Sequence, residues 1–103
     1  MNKYHAKKTW SNLCNMMFDS KGECKRGEEL VLLERGAVIS NLEYQVKFLL
    51  CKKPRITVSI DFKYTENGVV IYEDHKGILT RDSRTKYAWL KEQTGINIIL
   101  HRQ

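Results

Sequence analysis

The sequence predicts an α/β fold, with one mixed sheet flanked by helices in the order α-β-β-β-α-β. Three observations carry that expectation. A helix with a capping signal opens at Ser20. Three stretches with alternating apolar residues follow, two of them joined by Asn67-Gly68. A second helical stretch and a short, wholly apolar run then close the chain.

The first helix starts at Ser20 because Ser20 and Glu23 have the S-x-x-E spacing of a capping box, in which each side chain bonds the other's free backbone N–H. Leu30, Val31 and Leu33 supply its apolar contacts, and Gly36 is the expected stop. Gly27, inside this helix, costs about 1 kcal/mol against alanine. Its presence points to close backbone packing or close approach of a ligand. The first strand is Glu43–Leu50, where Tyr44, Val46 and Phe48 alternate with Gln45 and Lys47. The basic loop Cys51-Lys52-Lys53-Pro54-Arg55 interrupts it. Ile56–Tyr64 is the second strand, with Ile56, Val58, Ile60, Phe62 and Tyr64 on one face. Glu66-Asn67-Gly68 is a turn, and Val69–Lys76 is the third strand, ended by Gly77. Arg81–Thr94 forms the second helix, with Tyr87, Trp89 and Leu90 inward and Gly95 at its end. Ile96–Leu100 is the last strand. Residues 1–18 are expected to be a basic arm with a short strand near Met16–Phe18, and residues 19–103 a single domain.

The 103 residues carry a formal charge of +6, unevenly placed. Residues 1–26 hold six Lys/Arg and two acids, and residues 76–103 hold the same numbers. Residues 27–75 hold six against eight. Basic ends around an acidic middle favour a polyanionic partner, most often nucleic acid; a solvated surface without a partner is the competing reading. No apolar run approaches the ~20 residues of a membrane span. The N-terminal MNKYHAKKTW lacks the apolar segment of a secretory signal. Cys14, Cys24 and Cys51 form no CxxC pair, which argues against a disulfide framework or a structural zinc site and favours a reducing, cytoplasmic location.

Asn67-Gly68 is the strongest local signal, because it favours a two-residue type I′ hairpin turn. That turn pairs Glu66 with Val69, Tyr64 with Ile71 and Phe62 with Glu73. Asp61 then lands opposite Asp74, and Lys76 shares their face. Facing side chains have Cβ atoms about 4.5–5.5 Å apart, and like charges so placed repel. A metal cation between the carboxylates, protonation of one of them, or neutralisation by Lys76 would offset the repulsion. A solvent-facing hairpin with a simple salt bridge is the alternative. Glu73 and His75 alternate to the other face and read as structural.

Asp61, a turn, and then Asp74-His75-Lys76 resemble the D…(D/E)-x-K signature of the PD-(D/E)XK nuclease superfamily, and the α-β-β-β-α-β order resembles its restriction-endonuclease-like core. The runs Phe18-Asp19-Ser20-Lys21-Gly22-Glu23, Gly36-x-x-Ile39-x-x-Leu42-x-x-Gln45-x-x-Phe48, Asp61-Phe62-x-Tyr64 and Glu73-Asp74-x-Lys76-Gly77 look like a family of small phage and prophage nucleases similar to Holliday junction resolvases. Asn2-Lys3-Tyr4-His5 and Lys7-Lys8-Thr9 fit the same pattern. Ile60 stands where the superfamily name has proline, and no ligand position is lost.

The resemblance implies a magnesium-dependent endonuclease, with Mn²⁺ able to substitute. Asp61 and Asp74 would be metal ligands, and Lys76 would position the attacking water and stabilise charge on the phosphorane. Glu23 matches a helix glutamate that completes such sites, although the capping box explains it without catalysis. Gln45 matches a family glutamine near the site. The implied substrate is branched DNA, most economically a four-way junction cut by a homodimer, since a two-fold junction needs two matched incisions. A nicking or end-processing nuclease and a non-enzymatic DNA-binding module are the alternatives. Lys3, Lys7 and Lys8 of the arm, Lys52, Lys53 and Arg55 of the loop, and Arg81, Arg84 and Lys86 of the second helix are the candidate DNA contacts. No membrane and no small-molecule cofactor are expected. The compartment would be the cytoplasm, that of the host cell if the protein is phage-encoded.

Overall fold

The computed structural model describes residues 7–76 and 79–101. Lys3, the Asn2–His5 motif and the strand stop at Gly77 lie outside the described residues. The elements are β1 (Thr9–Ser11), β2 (Met16–Phe18), α1 (Lys21–Arg35), β3 (Ser40–Cys51), β4 (Ile56–Glu66), β5 (Val69–His75), α2 (Arg81–Thr94) and β6 (Ile98–His101). The fold is α/β, with a mixed four-stranded sheet in the order β3-β4-β5-β6, flanked by helices. β3, β4 and β5 are antiparallel neighbours, whereas β6 runs parallel to β5. A parallel neighbour needs a crossover, and α2 is that crossover. Among the described residues, no helix is long and apolar enough to cross a membrane.

The stretch read as an arm is paired and packed from Thr9 onward. β1 and β2 form an antiparallel hairpin. Ser11 is buried and donates to Glu28 Oε2 at 2.6 Å, and Phe18 is buried in the core. β1 is not expected from the sequence, because Thr9–Ser11 offers one apolar residue whereas β2 is apolar throughout.

α1 begins as expected, with Ser20 Oγ accepting the Glu23 backbone N–H at 3.1 Å. Its end differs from the expectation. Gly36 has an ordinary φ of −83°, and Ala37 takes the left-handed conformation at φ 61°. The Ala37 N–H bonds to Glu34 O and the Val38 N–H to Leu33 O, which is a Schellman closure around alanine.

Two apolar clusters meet on β4. Phe18, Cys24, Leu30, Ile39, Phe62 and Tyr64 form one, on the α1 side. Leu50, Val58, Ile60 and Leu90 form the other, on the α2 side, with Tyr87 and Trp89 packed against it. Ile60 and Phe62 belong to different clusters, and Asp61 is the residue between them. α1 is also fastened to β5 by a buried ion pair. Arg26 donates from Nε and Nη2 to the two oxygens of Glu73, at 2.7 and 2.9 Å, and Tyr64 OH donates to Glu73 Oε1 at 2.8 Å. Glu73 is therefore structural, as its side of the strand implied, and this clamp holds α1 beside Asp74.

Gly27 serves close packing. A Cβ there would lie 2.6 Å from Phe18 Cζ, and the Phe18 ring is held by Tyr44 and Phe62. Gly27→Ala is therefore expected to destabilise the fold by about 1–2 kcal/mol, overpacking outweighing the helix-propensity gain. Denaturant unfolding checks this; a more stable variant would show that the ring yields freely.

Candidate active site

The site forms where two antiparallel strands part. The turn is type I′ in character, with Asn67 at φ 52° and Gly68 at φ 77°. It sets the expected pairs Glu66↔Val69, Tyr64↔Ile71 and Phe62↔Glu73. The next step in that register is Asp61 and Asp74, and there the side chains replace the backbone ladder. The Asp61 N–H donates to Asp74 Oδ1 at 2.9 Å, and the His75 N–H donates to Asp61 Oδ2 at 2.9 Å. Each carboxylate thus satisfies an N–H that the parted ladder would leave open.

Lys76 Nζ lies 3.4 Å from Asp74 Oδ2. Tyr87 OH, delivered by α2, donates to the same oxygen. Asp74 is almost fully buried, at 1% exposure, and this acidic contact and burial together push the Tyr87 hydroxyl well above its usual pKa, burial being the larger cause. From the other side, Gln45 Nε2 reaches Asp61 Oδ1 at 3.2 Å and Glu23 Oε2 at 3.4 Å. Gln45 lies between the pairs Tyr44↔Phe62 and Val46↔Ile60, which places it at the level of Asp61. Its φ of 52° is left-handed, a conformation that costs a non-glycine residue about 1–2 kcal/mol. Backbone strain therefore sits in β3 beside the carboxylates.

The structure thus brings Glu23, Asp61, Asp74 and Lys76 together, with Gln45 and Tyr87. Only half of the capping box forms. Glu23 is buried and turns its carboxylate toward Gln45, while the cap uses its backbone N–H alone. In the sequence Tyr87 shows only as an inward helix residue, and nothing in its spacing identifies the strand it meets. The remaining basic residues stand apart. Lys7, Lys8, Lys52, Lys53, Arg55, Arg81 and Arg84 are exposed, and among the described residues no hydrogen bond or ion pair joins their side chains to the carboxylates. Lys86 is half-buried near Tyr87 and pairs with Asp82 at 3.6 Å. His75 points away from the site; its Nδ1 is buried without a partner, and its ring lies 5.6 Å from that of His101.

Three carboxylates and one ammonium leave surplus negative charge in a largely buried place. Burial first, then Asp19 and Asp74, push the Glu23 carboxyl up to about 7. Burial first, then Asp74, push Asp61 up to about 8. Among the described residues, no three His, Cys, Asp or Glu side chains stand ready-made around a cation. The donor set nevertheless fits Mg²⁺: the ligands are hard carboxylate oxygens, each with two lone pairs, and Mg²⁺ keeps several waters of its own.

Both carboxyls are raised from ordinary values of 4.5 and 3.8. Folding therefore retains protons that the unfolded chain releases, and the resulting stability is full below about pH 4 and lost progressively as pH rises from there to about 8. In the presence of a chelator, Tm is expected to keep falling between about pH 6.5 and 8, the part of that range above the lowered His75 pKa, and to level off beyond it. Asp61→Asn should flatten that fall. A wild-type Tm that is level or rising across the window would contradict the account.

No curated protein and no solved structure matches the chain. Residues 1–97 match the family described as "Protein of unknown function (DUF1064)", and on that match the chain belongs to this family.

Proposed function

We propose that the protein is a metal-dependent, structure-specific DNA endonuclease of the PD-(D/E)XK kind, on a restriction-endonuclease-like core, acting on branched DNA as a homodimer. The observation that carries this reading is the cross-bonded pair Asp61 and Asp74, with Lys76 Nζ 3.4 Å from Asp74 and Glu23 brought in by α1. A binding module gains nothing from buried carboxylates that repel a phosphate backbone. A phosphodiester hydrolase uses them.

Asp61, Asp74 and Glu23 would hold the cation. A divalent cation there would supply Lewis-acid polarisation of a phosphoryl oxygen and would acidify water. The chain's own residues do the rest. Lys76 offers a cation at the mouth of the site, where it can orient a water and balance charge that develops on phosphate oxygens. Glu23, raised to about 7 by burial and its acidic neighbours, would release its proton when a cation binds. Gln45 and Tyr87 fix the carboxylate orientations. The Arg26–Glu73 clamp sets the distance between α1 and β5. A four-way junction remains the preferred substrate, because a two-fold dimer presents two such sites to two matched strands.

The test is cleavage of a labelled four-way junction beside linear duplex of the same sequence, with Mg²⁺, with Mn²⁺ and with chelator. The reading expects metal-dependent cleavage that favours the junction. Equal cleavage of both substrates would leave a general nuclease, and no cleavage with either metal would remove the enzymatic reading. Lys76→Ala should lower the rate at least about 100-fold with DNA binding nearly unchanged. Glu23→Gln should stay folded, since the Ser20 cap uses only the backbone N–H, and should lose activity; a folded variant that cuts at the wild-type rate would take Glu23 out of the chemistry.

A further inference from the structure

Next to the carboxylates, β4 and α2 enclose a cleft of about 280 Å³. We propose that this cleft is a phosphate subsite, built by Thr57, Ser59, Lys76, Ser83, Lys86 and Tyr87, that takes the backbone phosphate adjacent to the one presented to Asp61 and Asp74. The assignment of the neighbouring phosphate rests on the nuclease reading; the anion site itself rests on the cleft.

The two walls follow from simple periodicities. On β4, Thr57, Ser59 and Asp61 are successive alternate residues and so form one row along the strand, and Thr57 and Ser59 line the cleft with Val58 between them. Successive members of that row stand about 6.8 Å apart, at ~3.4 Å per residue. One step from Asp61 to Ser59 is comparable to the step between neighbouring phosphates of one nucleic-acid strand. On α2, Ser83 and Tyr87 are four residues apart, as are Asp82 and Lys86, so all four share a helix face. Tyr87 and Lys76 belong to both the cleft and the carboxylate site, which makes the two continuous.

The lining chemistry selects an oxyanion. Lys76 and Lys86 supply two ammonium groups, and Thr57, Ser59 and Ser83 supply hydroxyls. Ser83 Oγ already accepts from Thr80 Oγ1 at 3.0 Å, which leaves its own proton to donate. Asp82 is the acid on this wall, but its side chain is 79% exposed and its pair with Lys86 spans 3.6 Å. Exposed pairs of this kind are weak, so Lys86 can exchange Asp82 for a phosphate at little cost. Among the described residues Val58 is the one aliphatic residue of the lining, which gives an apolar ligand little to bury against. The space suits a phosphate with its attached sugar.

Two measurements test this. The first is a titration of the metal-free protein with millimolar inorganic phosphate, followed by amide NMR. The amides of Ser59, Ser83 and Lys86 should shift saturably, and Lys86→Gln, confirmed as folded by the same spectrum, should weaken the response several-fold. Unshifted amides would overturn the subsite. The second is binding, in Ca²⁺, of junctions carrying a single neutral methylphosphonate at successive positions. One position, adjacent to the mapped Mg²⁺-dependent cut, should weaken wild-type binding about tenfold and Lys86→Gln binding hardly at all. Equal, additive losses at every position would reduce Lys86 to diffuse charge and overturn the proposal. If phosphate shifts these amides but DNA is never cut, the nuclease reading fails and the anion site stands. If DNA is cut and phosphate shifts nothing, the subsite fails and the nuclease reading stands.

Discussion

The register of the β4–β5 hairpin is the constraint on which the rest depends. Two residues, Asn67 and Gly68, both accept positive φ and close the turn without an extra residue. That single choice sets Phe62 against Glu73 and puts Asp61 and Asp74 at the same level. A one-residue slip of β5 would bring Glu73 opposite Asp61 and send Asp74 to the core face. It would also break the Arg26–Glu73–Tyr64 clamp, because Glu73 would leave the core. The clamp and the carboxylate pair are thus read from one register, on alternate sides of the same strand.

The carboxylate pair carries a cost that the fold meets locally. Two like charges face one another in a largely buried place, yet each accepts a backbone N–H of the opposing strand. Tyr87 and Lys76 bond the buried member, and Gln45 bonds the other. These contacts leave the charge unbalanced, as the raised carboxyls of Glu23 and Asp61 record. Left-handed Gln45 adds strain at the same level. Strain, buried like charge and open ladder positions gathered in one place are the features on which the proposed nuclease site rests.

Much of this was legible in the sequence because it depends on short-range periodicity. Strand alternation and the Asn-Gly turn were enough to oppose Asp61 and Asp74, to add Lys76 to their face and to send Glu73 the other way. The α2 limits were legible because Gly95 closes the helix at φ 79°. What escaped is long-range or depends on backbone conformation. Arg26 pairs with a residue 47 positions away, and spacing along α1 does not name a partner on β5. Tyr87 has an ordinary inward-helix pattern, and its role appears only once α2 docks beside β5. The left-handed residue after α1 is Ala37 although Gly36 was available, since local glycine preference yielded to the geometry of the helix exit. The cleft between β4 and α2 joins two polar half-faces, neither of which stands out alone.

The central claim is that Asp61 and Asp74, with Glu23, form a divalent-cation site rather than a protonated structural pair. Paramagnetic Mn²⁺ added to the isotope-labelled protein tests it most directly, because its relaxation effect falls steeply with distance and does not require catalysis. The account predicts broadening at substoichiometric Mn²⁺ centred on the amides of residues 23, 61, 62, 74 and 75, competed by Mg²⁺ and lost in Asp61→Asn. Broadening spread over the surface acids, or unchanged in Asp61→Asn, would contradict it.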